Sequence, residues 1–198
     1  MKLIKRRKFL EISGAMGVGL ATWPLAQSIA AQTGAQSVRP NILVFLTDDH
    51  GQWASHAYGN SELRTPNMDF LAARGTRMTQ AFAPSPVCSP ARASFFTGRM
   101  PSQHGIHDWL GKKIQMTHPW LTNQILISEL LQKAGYYTGL VGKWHCGHER
   151  EPHPGFDRWF SYWVDQYPHQ GIQHFADQGK EVTEGGQQSP LLTRRAVD

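Results

Sequence analysis

The run Asn41-Ile-Leu-Val-Phe-Leu-Thr47 constrains the fold of this chain more than any other stretch. Its consecutive apolar residues leave no polar face, so they read as a strand buried on both sides, the pattern of parallel sheets covered by helices. Asp48-Asp49-His50-Gly51 follow at once, and the carboxyl ends of such strands are where open α/β sheets bind ligands. Thr65-Pro66, with Met68, Leu71 and Ala72 on one face and Gly75 closing, predicts a short helix. A second is predicted from Ile125 to Lys133, closed by Gly135, and Tyr137 to Val141 reads as a second strand ending at Gly142-Lys143-Trp144-His145. From Gly155 onward aromatic residues crowd without a clean period, and the stretch from Leu191 reads as the first turns of an amphipathic helix. Strands alternating with helices, without internal repeat, predict an α/β layered fold.

At 198 residues the chain can build one domain with a sizeable core. Its formal charge of +5 invites a nucleic-acid partner, but the excess is local. Lys2, Lys5, Arg6, Arg7 and Lys8 stand against Glu11 alone in residues 1–37, leaving 15 basic and 14 acidic residues elsewhere. No basic face remains for nucleic acid. Residues 1–37 instead resemble a twin-arginine export signal: Arg6-Arg7-Lys8-Phe9-Leu10, then a weakly apolar stretch to Ala31 with small residues at Ser28-Ile29-Ala30. Gly14, Gly17, Gly19, Trp23, Pro24 and Gln27 make that stretch a poor span, so no stable membrane anchor is expected. The resemblance implies the twin-arginine translocase as a partner and a periplasmic or secreted location, with residues 38–198 as the working domain.

The chemistry is concentrated in Cys88-Ser89-Pro90-Ala91-Arg92, extended by Thr97-Gly98-Arg99 and His104-Gly105. A bare C-x-P-x-R recurs by chance; the extension makes this copy specific. It resembles the signature of the sulfatase family, whose cysteine is oxidised to formylglycine by a generating enzyme, here an implied partner. A hydrated aldehyde offers two hydroxyls on one carbon, one to attack and one to release the product, where a plain serine would stay esterified. Pro90 suits a first helical turn; with Pro90 to Phe96 helical, Cys88 would sit at the helix start, where amides and dipole favour anions, and Arg92 one turn along. The competing structural use is a buried Cys88, or one disulfide-bonded to Cys146, the second cysteine of the chain. Ala91 replaces the family's usual serine.

Two further segments match. Asp48-Asp49 after the apolar run resembles the family's metal-binding pair, which with the nucleophile at position 88 implies Ca²⁺, or Mg²⁺; alone, such a pair is more often a turn or cap. Gly135-Tyr-Tyr-Thr138-Gly-Leu-Val-Gly142-Lys143-Trp144-His145-Cys146-Gly147 resembles the second sulfatase signature. Lys143 and His145 on one side of an extended segment would neutralise sulfate charge and hydrogen-bond the nucleophile's hydroxyl. His104 reads as structural, while His107-Asp108-Trp109, Trp163, His169 and His174 could line a sugar subsite or merely pack loops.

The resemblance covers residues 40–198 and the N-terminal part of the family's domain, so the expected fold is an alkaline-phosphatase-like sulfatase domain, C-terminally truncated, with a largely parallel central sheet flanked by helices. A later histidine, a second metal-ligand pair and a later lysine have no match here. The expected activity is hydrolysis of a sulfate ester, with a sulfated small molecule or polysaccharide as substrate. The alternatives are a phosphonate monoester or phosphodiester hydrolase of the same superfamily, and an inactive fragment.

Overall fold

The computed structural model describes residues 39–163 and 168–198. The segment with the twin-arginine pattern lies outside them, as does Tyr167. The chain divides into two compact units after Leu46. Of the first, residues 39–46 are described, and they form neither helix nor strand and are exposed throughout. The strand expected at residues 41–47 is therefore not formed. An apolar strand is stable when neighbours hydrogen-bond it on both edges; among the described residues none pairs with this one.

The second unit carries a four-stranded sheet in the order β1 (Gly139–Val141), β2 (Arg158–Tyr162), β3 (Gln170–Asp177), β4 (Lys180–Gln187). β1 and β2 run parallel, with Leu140 opposite Trp159; β2–β3 and β3–β4 are antiparallel. The α/β class holds, but the sheet is mixed where a largely parallel one is expected. The reason is local. Gln178 and Gly179, both at positive φ between paired Asp177 and Lys180, close a two-residue hairpin turn that fixes β3 and β4 antiparallel.

The helices are α1 (Pro66–Arg74), α2 (Cys88–Thr97), α3 (Pro101–His104), α4 (Lys112–Thr117), α5 (Ile127–Lys133) and α6 (Gln188–Val197). α1 starts on Thr65-Pro66 and stops at Gly75, as its punctuation predicts. α5 starts two residues later than expected because the Glu129 carboxylate turns back to accept the Leu126 amide (2.8 Å), fixing Leu126 as the cap. Burial along β2 alternates between two cores. Trp159 joins Ala93, Phe96, Leu140, Trp144 and Cys146 on the α2 side, whereas Phe160 and Tyr162 pack with Phe175 and with Leu191 of α6. Helices therefore cover both faces, and α2 is held with its first turn over the loop that follows β1.

Candidate active site

α2 begins at Cys88 itself, not at Pro90. The first helical bond runs from the Ala91 amide to the Val87 carbonyl (3.1 Å). The amides of the preceding turn have no intrahelical acceptor, and Pro90 lacks one to offer. Cys88 is half-buried and forms no disulfide with Cys146. Cys146 is fully buried, its Sγ 3.7 Å from the Ser89 carbonyl, and burial pushes its thiol well up. The charges of Arg92 and Lys143 and the Cys88 thiol all bear on Cys146.

Arg92, one turn into α2, is almost fully buried. Its Nη1 donates to the Lys143 carbonyl (2.7 Å) and its Nη2 lies 3.9 Å from Asp48 Oδ2. Lys143 Nζ donates to the same Asp48 oxygen at 2.6 Å. Burial pushes the Asp48 carboxyl up, but the Lys143 hydrogen bond and charge, with Arg92 and His145, outweigh it and hold it below the ordinary range. One exposed carboxylate thus faces two nearly buried cations. Such a cluster has charge to spare for an incoming anion.

Lys143 and His145 do not converge along an extended segment as expected. β1 ends at Val141, and the chain turns through Gly142 (φ 113°) and His145 (φ 54°). The anchor between them is Trp144, fully buried, 4.5 Å from the Phe96 ring and stacked on His153 at 4.5 Å. His145 Nε2 lies 3.1 Å from the Leu110 carbonyl, which can only accept, so Nε2 carries the proton. Burial, then the Lys143 charge, drives this imidazole from an ordinary value near 6.5 down to about 4, so it is neutral at pH 7. Its Nδ1 lone pair is buried without a protein partner. A neutral imidazole so held can accept a hydrogen bond at Nδ1.

The Leu110 amide in turn donates to Ser89 Oγ (3.1 Å), tying the His145 support to the residue after Cys88. His104 is structural, as expected: Nδ1 accepts the Ile106 amide (3.2 Å), so Nε2–H donates to Ser94 Oγ (2.9 Å). Of the candidate sugar-binding residues the structure brings Trp109 to the site, its exposed ring edge-on to His145 at 6.0 Å. Trp163 is covered by the Arg150 guanidinium, and His174 pairs with Glu181 (2.7 Å). His169 and Gln188 lie 3.1 Å apart.

Asp48 and Asp49 supply the hard oxygens that Ca²⁺ or Mg²⁺ prefers. They fit such a cation in kind but not in number. Among the described residues no three His, Cys, Asp or Glu side chains, Cys88 included, come together as a metal site. Asp49, at φ 48°, follows Asp48 through a bend. No sequence motif marks Glu149. It is buried beneath the site and takes the His145 amide on its carboxylate (3.1 Å); nothing but its closeness to the Lys143–Gly147 motif could have flagged it.

A mixed α/β unit that gathers a helix-start cysteine, two buried cations and a buried histidine belongs to the class of α/β proteins with a cationic cluster beside a helix start. Within that class the chain belongs to the Sulfatase family, whose profile matches residues 40–193. It is 39% identical to N-acetylgalactosamine-6-sulfatase of Homo sapiens over 130 residues, which is 61% of this chain and 25% of that protein. It is 37% identical to arylsulfatase A of Bos taurus over 162 residues, 78% of this chain and 32% of that protein. Among solved structures, BT4656 in complex with its substrate D-glucosamine-2-N,6-O-disulfate superposes with a TM-score of 0.69 at 32% identity, covering 80% of this chain and 30% of that one. The chain therefore spans about a quarter to a third of the length of these relatives.

Proposed function

We propose that this chain is the N-terminal portion of a sulfuric-ester hydrolase that acts on a sulfated carbohydrate, with formylglycine made from Cys88 at its centre. The observation that carries this is the meeting of Arg92, Lys143 and Asp48, residues up to 95 positions apart, beside the helix that Cys88 opens, in a chain of the sulfatase family. Cys88 fits the modification: it is half-buried, unpaired and first in its helix. Formylglycine supplies a hydrated aldehyde, a nucleophile whose second hydroxyl allows turnover.

The chain's own residues do the rest. Arg92 and Lys143 present guanidinium and ammonium donors to sulfate oxygens, drawing off charge that grows as the ester bond breaks. His145 offers Nδ1, the lone pair that the protein leaves free, to accept a hydrogen bond from the nucleophile's hydroxyl. Asp48 and Asp49 would hold Ca²⁺, the remaining ligands coming from outside the described residues. A sulfated amino sugar is supported by what the relatives' names and the BT4656 complex describe for those proteins, and by Trp109, an aromatic face suited to a sugar ring. The test uses the longest reading frame that carries residues 38–198, co-expressed with a formylglycine-generating enzyme. Sulfate release from an N-acetylhexosamine sulfate should exceed turnover of a phosphonate ester, and vanish on chelation and in Cys88→Ala. Preference for the phosphonate would overturn the substrate assignment.

Export by the twin-arginine route belongs to the same proposal. A reporter fused to residues 1–37 should reach the periplasm folded, and Arg6→Lys with Arg7→Lys should block it, because an ammonium does not replace a guanidinium fork. Export of the double mutant at the parental level would exclude that route.

A further inference from the structure

We infer that Glu149 is a positioning residue for His145: its buried carboxyl fixes the backbone of that residue and so aims the imidazole. The inference rests on His145 as a site residue, not on which ester is cleaved.

The carboxyl sits at a junction of three elements. Oε1 accepts the His145 amide (3.1 Å) and the Gln115 side-chain amide of α4 (3.1 Å). Oε2 accepts the Ser161 hydroxyl of β2 (2.8 Å). The Glu149 carbonyl accepts the Trp159 indole N–H (2.8 Å), pinning its backbone to the same strand. Glu149 is 7% exposed and Ser161 fully buried. Burial pushes the carboxyl up, while Ser161, the His145 and Trp144 amides and Gln115 pull it part-way back. A carboxyl so enclosed is costly unless every lone pair is used, and here the neutral donors that use them come from the segments flanking the site.

His145 needs such a fixture. At φ 54° it occupies the left-handed region, which a β-carbon disfavours and which persists only where the surroundings impose it. Two contacts define its pose. Glu149 holds the backbone N–H, and the Leu110 carbonyl holds Nε2–H. Together they leave Nδ1 as the free lone pair. Without Glu149 the turn can relax toward ordinary φ, swinging the ring off Leu110 and releasing the tautomer.

The variants follow from the hydrogen-bond inventory. Glu149→Gln keeps an acceptor oxygen for His145 and Gln115, and its new NH₂ can donate to a rotated Ser161 hydroxyl. Glu149→Leu keeps the volume and removes every acceptor. NMR of the full chain reads His145 directly. Two-bond ¹⁵N–¹H spectra separate the Nε2–H from the Nδ1–H tautomer, amide exchange reports the His145 N–H, and neither depends on activity. The parent and Glu149→Gln should show a single Nε2–H tautomer and a protected His145 amide. Glu149→Leu should show mixed tautomers and exchange roughly fivefold or more faster, as loss of one buried hydrogen bond implies. A folded Glu149→Leu with the parental tautomer and protection would overturn the assignment, leaving Glu149 a packing residue. If Glu149→Leu does not fold, the parent still decides: a His145 amide exchanging like an exposed loop amide contradicts the inference, and protection matched by Glu149→Gln supports it.

Discussion

Lys143 and Arg92 reach the same oxygen of Asp48 from a loop and a helix, and what they do to His145 can be measured. Burial, seconded by the Lys143 charge, keeps that imidazole neutral down to about pH 4. The sign of the effect is fixed. In the unfolded chain His145 binds a proton near pH 6.5, in the folded chain only near 4, so its contribution is complete above pH 6.5 and is lost as pH falls toward 4. The loss over that window should be about 1–3 kcal/mol. Denaturant titrations of the parent and of His145→Gln between pH 7 and 4 will show it: the parent should lose more stability than the variant, and parallel curves would mean that His145 titrates normally. At this scale the sequence motifs named Arg92 and Lys143, which the structure brings together at Asp48, and Cys88 and His145, whose roles belong to the proposed function. They were silent on Glu149 and on the Leu110 carbonyl, because support through a backbone amide or a main-chain oxygen leaves no signature of residue type.

Among the elements, those marked by proline and glycine were legible. Thr65-Pro66 and Gly75 bound α1, and Gly135, in a left-handed conformation, follows α5. Gly155 is a further such position and carries a prediction. It has φ 80°, and a β-carbon there would overlap the Glu129 amide nitrogen and the Ser128 carbonyl carbon at the start of α5. Backbone cannot yield as a flexible side chain can. Gly155→Ala should therefore cost about 2–4 kcal/mol, summing backbone strain and displacement of the helix start, read as a lower thermal midpoint with unchanged composition of secondary structure. A shift within error would mean that the segment is free to move away from α5. What the sequence concealed was the β3–β4 hairpin. Its residues include Gln170, His174, Glu181, Glu184 and Gln187, polar side chains with little strand preference. Its clearest trace was Gly179 after Gln178, the pair that forms the turn. The opposite error occurred at residues 41–47, where apolar content predicts a strand that pairs with nothing among the described residues.

At the scale of the molecule, helices on both faces of a mixed sheet place the start of α2 and the loop after β1 side by side, and the polar cluster lies where they meet. The α/β class followed from alternating strands and helices; the mixed order did not, because strand direction is set by connection length and turn geometry, which hydrophobic pattern does not encode. The proposed function turns on Cys88 becoming more than a thiol; it is half-buried, forms no disulfide and opens the helix that carries Arg92. The most direct measurement is the mass of the peptide that contains Cys88, taken from the chain co-expressed with a formylglycine-generating enzyme. Conversion of the thiol to an aldehyde should lower that mass by about the difference between the two groups, and the aldehyde should capture a hydrazide probe that Cys88→Ala does not. An unmodified thiol under these conditions, or a Cys88–Cys146 disulfide, would contradict the account.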